Sequence, residues 1–599
     1  MFREWLCENQ VDRDHFTGRI FPKASDREFW ESKYDPEYMK EMEQYLHCDW
    51  PIIRAGAYRE FFISGDRLAC ETPYFQRRQA LTGLVIGEVL EYRGRFLPDI
   101  VDGIFAICEE SFWGVSAHKA GFSHKQEILP DVSDPYIDLF ASNTAEMISV
   151  TYYLLYDALK EFCPEILDRM EYELEVRVKK PYCSHRDFWW MGYFGTVNNW
   201  NPWILSNILT VFLMTPSSKR EFEDAVTKLL YEAEEYYLVT PSDGGCDEGP
   251  SYWMVAGGKL FELCELLYIA TCGKINFFAD EKIEKIGKYI YRAYIGNGYF
   301  ANYADGVAKP ISDSADIALL FLYGRRIADE RLIAFAKELH SFRKTTYVVS
   351  GLPHMKRCLY DLILRKEMAA VSDWAPEEAA VFPELQTSYV RNGDWYYSAK
   401  GGTNHESHNH NDVGSFIVCH HNMPVLVDPG CGVYTRKTFS SERYQIWTMQ
   451  SGWHNLPEVN GFEQIDNGKA IFQMEKKKTR IEFASVYPEK AGLRGLERNI
   501  SLIENGVQIC DSFSFLSGHN RLSEHFITAG DLQKDGNRVL ISGQYALECS
   551  IPCQIVFDEV DFCGDVKLSQ SWGTEKLNRM QFIFDCKEQQ EVTFKICEI

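Results

Sequence analysis

The texture of this sequence changes near residue 385, and that change limits the fold more than any other feature. Before it, apolar residues recur at helical spacing in RRQALTGLVIGEVLEYRG (77–94), DPYIDLFASNTAEMISVTYYLLYDALKEF (134–162), NPWILSNILTVFLMT (201–215), REFEDAVTKLLYEAEEYY (220–237), YWMVAGGKLFELCELLYIAT (252–271) and SADIALLFLYGRRIA (314–328). Apolar side chains three and four apart line one face of a helix, so each segment predicts a helix with a face to bury. Asp134 followed by Pro135 predicts where the 134–162 helix starts. Gly, Pro, Asn and Asp separate the segments at short intervals, which predicts helical hairpins. Consecutive hairpins can bury their faces against one another in a full or partial ring. The absence of a residue-level repeat disfavours a regular solenoid.

After residue 385 the segments are short, β-branched or aromatic, and often alternating, as in TSYVRNGDWYYSAKG, GSFIVCH, MPVLVD, ERNISLIENGVQICDSFSF and EVTFKICEI. Such runs with turn residues between them predict an antiparallel sandwich. At 599 residues the chain is too long for one core. The expected architecture is multidomain, α then β: helical hairpins over 1–385 and an antiparallel β-sandwich over 386–599. Trp374-Ala-Pro-Glu-Glu is the expected linker.

A formal net charge of −24 argues against a nucleic-acid binder, which needs a basic surface. It leaves room for an acidic ligand at a local basic patch such as Arg177, Lys179, Lys180 and Arg186. The first residues, MFREWLCENQVDRDHF, lack the apolar core of a secretory signal, and no run of 18 apolar residues predicts a membrane span. Eighteen scattered cysteines without a CxxC pair suit a reducing compartment. A cytoplasmic location is expected; a trimmed signal peptide would make it periplasmic or secreted. Oligomeric state is left open.

Six of the fifteen histidines fall between 405 and 454. In NHESHNHNDVGSFIV, His405, His408 and His410 precede a strand-like run; Asp428 ends the next, and His454 follows in SGWHNLPEVNG. If 408–410 is extended, His408 and His410 share a face. Two imidazoles and a carboxylate (His410, Asp428, His454) fit zinc better than calcium. A metal-free hydrogen-bonded cluster is the competing reading. Two further clusters lie in the helical half. Asn198 and Asn199 precede a helix starting near Asn201-Pro202, a place where Asn commonly only caps. Tyr252 follows the turn SDGGCDEGP, where a tyrosine often only packs.

Taken together, these segments resemble the heparinase II/III-like polysaccharide lyases. VNNWNPW, DGGCDEGPSYW, GGTNHESHNHNDVGSF, PVLVDPGCGVY and SGWHNLPEVNG occur in that family's order and spacing. The resemblance implies an incomplete α/α toroid followed by an antiparallel β-sandwich. It also implies β-elimination at a uronic acid in an acidic polysaccharide or oligosaccharide, a glycosaminoglycan or an alginate-like chain. Asn199, with Asn198 beside it, would neutralise the uronate carboxylate. Tyr252 would move protons as acid at O4 and as a candidate base at C5, a role that needs its pKa lowered, for instance by Arg186. His408 would be the base or a second carboxylate partner. His410, Asp428 and His454 would hold a divalent metal, a structural zinc. His405, Arg186, Tyr434 and Arg443 are candidate substrate contacts. Many family members carry a histidine after the key asparagine or tyrosine; this chain has Trp200 and Trp253. That departure sustains an alternative, a noncatalytic uronan-binding protein. A toroidal glycoside hydrolase using Asp247 and Glu248 is a third, weakened because adjacent acids rarely face one bond.

Overall fold

Asp138, not Asp134, starts the long helix Leu139–Phe162, because its carboxylate accepts the Ala141 amide at 2.6 Å and satisfies an end group of the first turn. The structure is a computed structural model. It describes residues 1–122, 128–195, 197–311, 314–341 and 354–599; Thr196, just ahead of the asparagine motif, and 342–353 of the helical half lie outside the described residues. The order is the expected one, helices first and antiparallel sheets after.

Two compact units make up the chain. One comprises Met1–Thr240, Met254–Gly287 and Ser312–Trp374; the other comprises Pro241–Trp253, Lys288–Ile311 and Ala375–Ile599. In the helical unit, Leu139–Phe162, Trp200–Met214, Gly257–Ala270, Ser314–Arg326 and Met355–Met368 each touch the next, and the last touches the first. These helices are joined by buried charge as well as apolar packing. Lys356 donates to Thr210 at 2.7 Å, Lys259 to Asn207 at 3.3 Å, and Arg357 pairs with Glu262 and Asp316. Buried cations survive only with such partners.

The sheet unit contains a five-stranded sheet (Ala379–Phe382, Thr387–Asn392, Trp395–Lys400, Phe416–His420, Met423–Leu426), a four-stranded sheet and an eight-stranded sheet, all antiparallel. Burial alternates along Gly506–Phe515, as a half-buried strand requires. One apolar core joins Tyr397, Phe416 and Val418 to Ile500, Phe513 and Phe594 and to Phe526, Met580 and Phe582. The first strand, Ala379–Phe382, lies ahead of residue 386, since its short apolar run pairs with Thr387–Asn392. Two excursions from the helical half of the sequence also join this unit. Tyr303 shares a 2.8 Å hydrogen bond with Ser398, and Glu384 donates its amide to Asp243 at 2.7 Å. Such associations are long-range, and hydrophobic periodicity does not encode them.

Arg498 is fully buried within the sandwich and paired with Asp511 through two bonds of 2.8 and 2.6 Å. It also donates to the carbonyls of Gly414 (2.9 Å) and Asn455 (2.6 Å), which follow the two histidine segments. Removing one partner strands a buried charge. Arg498→Met is expected to lower unfolding free energy by about 3–5 kcal/mol, read from denaturant melts; a change below about 1 kcal/mol would contradict this account.

Candidate active site

The turn at 302–306 puts a carboxylate where four side chains meet. Ala304 takes a left-handed φ of +58°, and Asp305 is 1% exposed. Asp305 Oδ2 accepts from His408 Nδ1 (2.7 Å) and from the Tyr434 hydroxyl (2.9 Å). Its Oδ1 accepts from His410 Nε2 (3.0 Å) and Arg443 Nη2 (2.6 Å). Burial pushes this carboxyl up, but the hydrogen bonds from the two histidines outweigh it and hold it well below the usual carboxylate range. The turn is locked from the other side by Asn302, which donates to the Asp428 carbonyl at 3.1 Å. Gly430 has φ +70° and sits against the Gly306 carbonyl, so any side chain at 430 would collide. That close approach is the physical reason for a glycine at 430.

Residues 401–415 form turns and bends, not the expected strand, and the strand begins at Phe416. His408 and His410 still converge, because His408 has φ +55° and its ring turns toward Asp305 beside that of His410. The loop is anchored by buried Lys400, which reaches Asp412 at 2.6 Å and Glu406 at 3.2 Å. His408 Nε2 lies 3.2 Å from Glu248. Burial alone would push His408 down; its bonds to Asp305 and Glu248 lift it to about 9.

Tyr252 enters from the sequence's helical half. Gly249 (φ +78°) closes a turn, Pro250 opens the short helix Pro250–Trp253, and Tyr252 projects from it. Its ring stacks on His408 with centroids 4.3 Å apart and planes 23° apart, and its hydroxyl is hydrogen-bonded to that of Tyr434. Burial, with the nearby Asp305 and Glu248 carboxylates, raises its pKa well above the ordinary phenol value. Tyr252 is therefore a phenol here, not the phenolate that a resting base would require.

The structure thus brings together Tyr252, His408, His410, Tyr434 and Arg443 within the sheet unit. Arg443 donates to Asp305, to the Asn409 carbonyl (2.9 Å) and to the Thr438 carbonyl (3.0 Å). His405 is exposed on the same loop. Asn198, Asn199 and Arg186 belong to the helical unit. Asn198 Oδ1 accepts the Trp200 amide at 3.0 Å, so it does cap; Asn199, 4% exposed, makes no side-chain capping bond. Arg186 is exposed and donates to the Tyr193 hydroxyl. Trp200 is packed between His118 and Trp189, and Trp253 is fully buried, so both tryptophans fill core space. Asp247 is exposed, while Glu248 is buried and lies 3.2 Å from His408 Nε2. Sequence reasoning missed Asp305 altogether; the only local sign was the turn-prone NYADG at 302–306.

His410, Asp428 and His454 are fully buried, and one donor atom from each lies within 4.8 Å of the other two. Their hydrogen bonding fits a metal. His454 Nε2 donates to the Thr448 carbonyl (3.0 Å), which directs Nδ1 at Asp428 Oδ2 (2.8 Å). His410 Nε2 is taken by Asp305, while its Nδ1 is buried without a hydrogen-bond partner. A ligating histidine ordinarily gives its other N–H to a carboxylate or carbonyl, and both do so here.

Residues 375–529 match the family model described as Heparinase II/III-like, C-terminal. No curated protein matches the sequence. Several solved structures share the fold. A structure titled heparinase III is 11% identical with a TM-score of 0.66, over 100% of this chain and 88% of that chain. A heparan sulfate lyase HepC mutant from Pedobacter heparinus is 13% identical with a TM-score of 0.60, over 100% and 87%. A Streptomyces coelicolor A3 chondroitin AC lyase mutant is 11% identical with a TM-score of 0.51, over 96% and 82%. At these identities the likeness is one of fold.

His410→Ala is expected to lower metal content and melting temperature together, measured by elemental analysis and calorimetry on the same preparation. Wild-type protein that is pure, folded and metal-free as isolated, and that takes up none on addition, would remove this site.

Proposed function

We propose that the chain is a polysaccharide lyase. It would cleave uronic-acid-containing polysaccharides or oligosaccharides by β-elimination to 4,5-unsaturated uronate products. Glycosaminoglycans such as hyaluronan, chondroitin or heparan sulfate are the leading substrates, with alginate as the outlying candidate. The observation that carries this reading is the cluster of Tyr252, Tyr434 and His408 on the buried Asp305 carboxylate. The sandwich domain match and the shared fold support it.

Elimination requires a neutralised carboxylate, a base at C5 and an acid at O4. The raised pKa of Tyr252 keeps its proton in place, which suits donation to the departing O4. Both His408 nitrogens face carboxylates, Asp305 at 2.7 Å and Glu248 at 3.2 Å. A base needs a free nitrogen lone pair, so this arrangement favours His408 as a cationic partner of the uronate carboxylate. Asn199 would add its amide to that carboxylate, a role resting on the family resemblance. Arg443 is assigned to positioning, because its donors hold Asp305 and two carbonyls. Tyr434 acts through Tyr252, and His405 and Arg186 are retained as substrate contacts.

His410, Asp428 and His454 would hold a structural zinc, which supplies a rigid cross-link between their segments when bound. His410 would then keep its Asp305 bond, and the loop presenting His408 would be ordered by both.

Incubation with hyaluronan, chondroitin, heparan sulfate and alginate should produce absorbance at the unsaturated-uronate band with at least one polymer. Folded, metal-replete protein that yields no product on any of them would defeat the assignment, and saturated products would point to hydrolysis. On the substrate so found, Tyr252→Phe should cut kcat by at least about 10²-fold, the scale of a lost general acid, with oligosaccharide binding retained. Near-wild-type turnover would take Tyr252 out of the reaction.

A further inference from the structure

Two of the six clustered histidines, His420 and His421, play no part in the site above. They lie where the strand Phe416–His420 turns into Met423–Leu426. Side chains of consecutive strand residues point to opposite faces. Here His421 and Asn422 both have left-handed φ, +49° and +62°, as in the tight hairpin turns that usually employ Asn-Gly. That turn swings the His421 ring back beside His420, with centroids 4.0 Å apart. A neighbouring hairpin adds a carboxylate: His421 donates its amide to the Asp394 carbonyl at 2.8 Å, and Asp394 Oδ1 lies 3.1 Å from His421 Nδ1. One donor atom from each of Asp394, His420 and His421 falls within 4.8 Å of the other two.

We propose that Asp394, His420 and His421 form a second metal site, separate from the buried trio, for a borderline divalent cation of the zinc, nickel or copper class. Two imidazoles and one carboxylate select that class over calcium or magnesium, which prefer oxygen shells. Tetrahedral zinc with bonds near 2.0–2.1 Å separates its ligand atoms by about 3.3 Å, close to the 3.1 Å between Asp394 and His421. The His420 ring is already held. It stacks on Trp395 with centroids 4.4 Å apart and is flanked by the Tyr545 hydroxyl at 3.4 Å and Glu598 at 3.9 Å. The side chains of His421 and Asp394 are 60% and 65% exposed, so the cation exchanges with solvent and keeps water in its remaining positions. When filled, the site ties the turn before Trp395 to the turn after His420.

The test is a titration of chelator-stripped protein with zinc chloride and, for its visible spectrum, cobalt chloride. His421→Ala and Asp394→Asn should each bind one equivalent fewer than wild type, or bind the last equivalent at least about tenfold more weakly. His410→Ala should retain this equivalent, which separates it from the buried trio. Identical stoichiometry and affinity in wild type, His421→Ala and Asp394→Asn, all with matching melts of the stripped protein, would overturn the proposal.

Discussion

Four donors on one buried carboxylate hold this site together. An isolated carboxylate at 1% exposure would be strongly unfavourable. Asp305 is tolerable because His408, His410, Tyr434 and Arg443 all deliver hydrogens to it. The dependence runs both ways: each of those side chains is oriented by the same two oxygens. Loss of the carboxylate would leave an arginine, two imidazoles and a phenol without their common acceptor, so its removal would cost far more than one hydrogen bond. Charge and geometry are therefore inseparable here. The Asp305 carboxylate that, with Glu248, lifts His408 to about 9 also holds its ring where it stacks against Tyr252.

Left-handed backbone occurs at this site too, as it does at many turns elsewhere in the described residues. Ala304 and His408 adopt left-handed backbone, and Gly249 and Gly430 do so in the adjoining turns. Non-glycine residues hold such conformations only when their surroundings over-determine them. The surroundings are on hand: Lys400 pins Asp412 and Glu406, Asn302 holds the Asp428 carbonyl, and Arg498 grips the carbonyls of Gly414 and Asn455. The rigid sandwich thus supports loops that could not keep these shapes alone.

Much of this was legible in the sequence, and the illegible parts share a cause. Periodicity of 3.6 and 2 separates the helical and sheet halves because it reports which faces are buried. The histidine segment is readable by itself, because imidazoles at that density have few structural uses, whereas DEGPSY and PVLVDPG become readable as parts of a site only through the family resemblance. His408 and His410 were expected to converge through strand geometry and instead converge through a left-handed residue, which no pattern of apolar residues announces. Asp305 left no chemical signature, since an Asp within NYADG reads as an ordinary turn. The same is true of Asp134 against Asp138: both look like helix starts, and only the observed bond to the Ala141 amide decides between them.

The departures at Trp200 and Trp253 take on a different weight once the units are known. Tyr252 falls in the helical half of the sequence, yet Pro241–Trp253 and Lys288–Ile311 belong to the sheet unit along with His408 and Tyr434. The phenol, its hydrogen-bonded neighbour, the imidazole and the carboxylate beneath them are therefore set within one unit. Their mutual distances are set by short turns and buried hydrogen bonds. Proton transfer is sensitive to heavy-atom separations of a few tenths of an ångström. Trp200 and Trp253, at the two departures, fill core space.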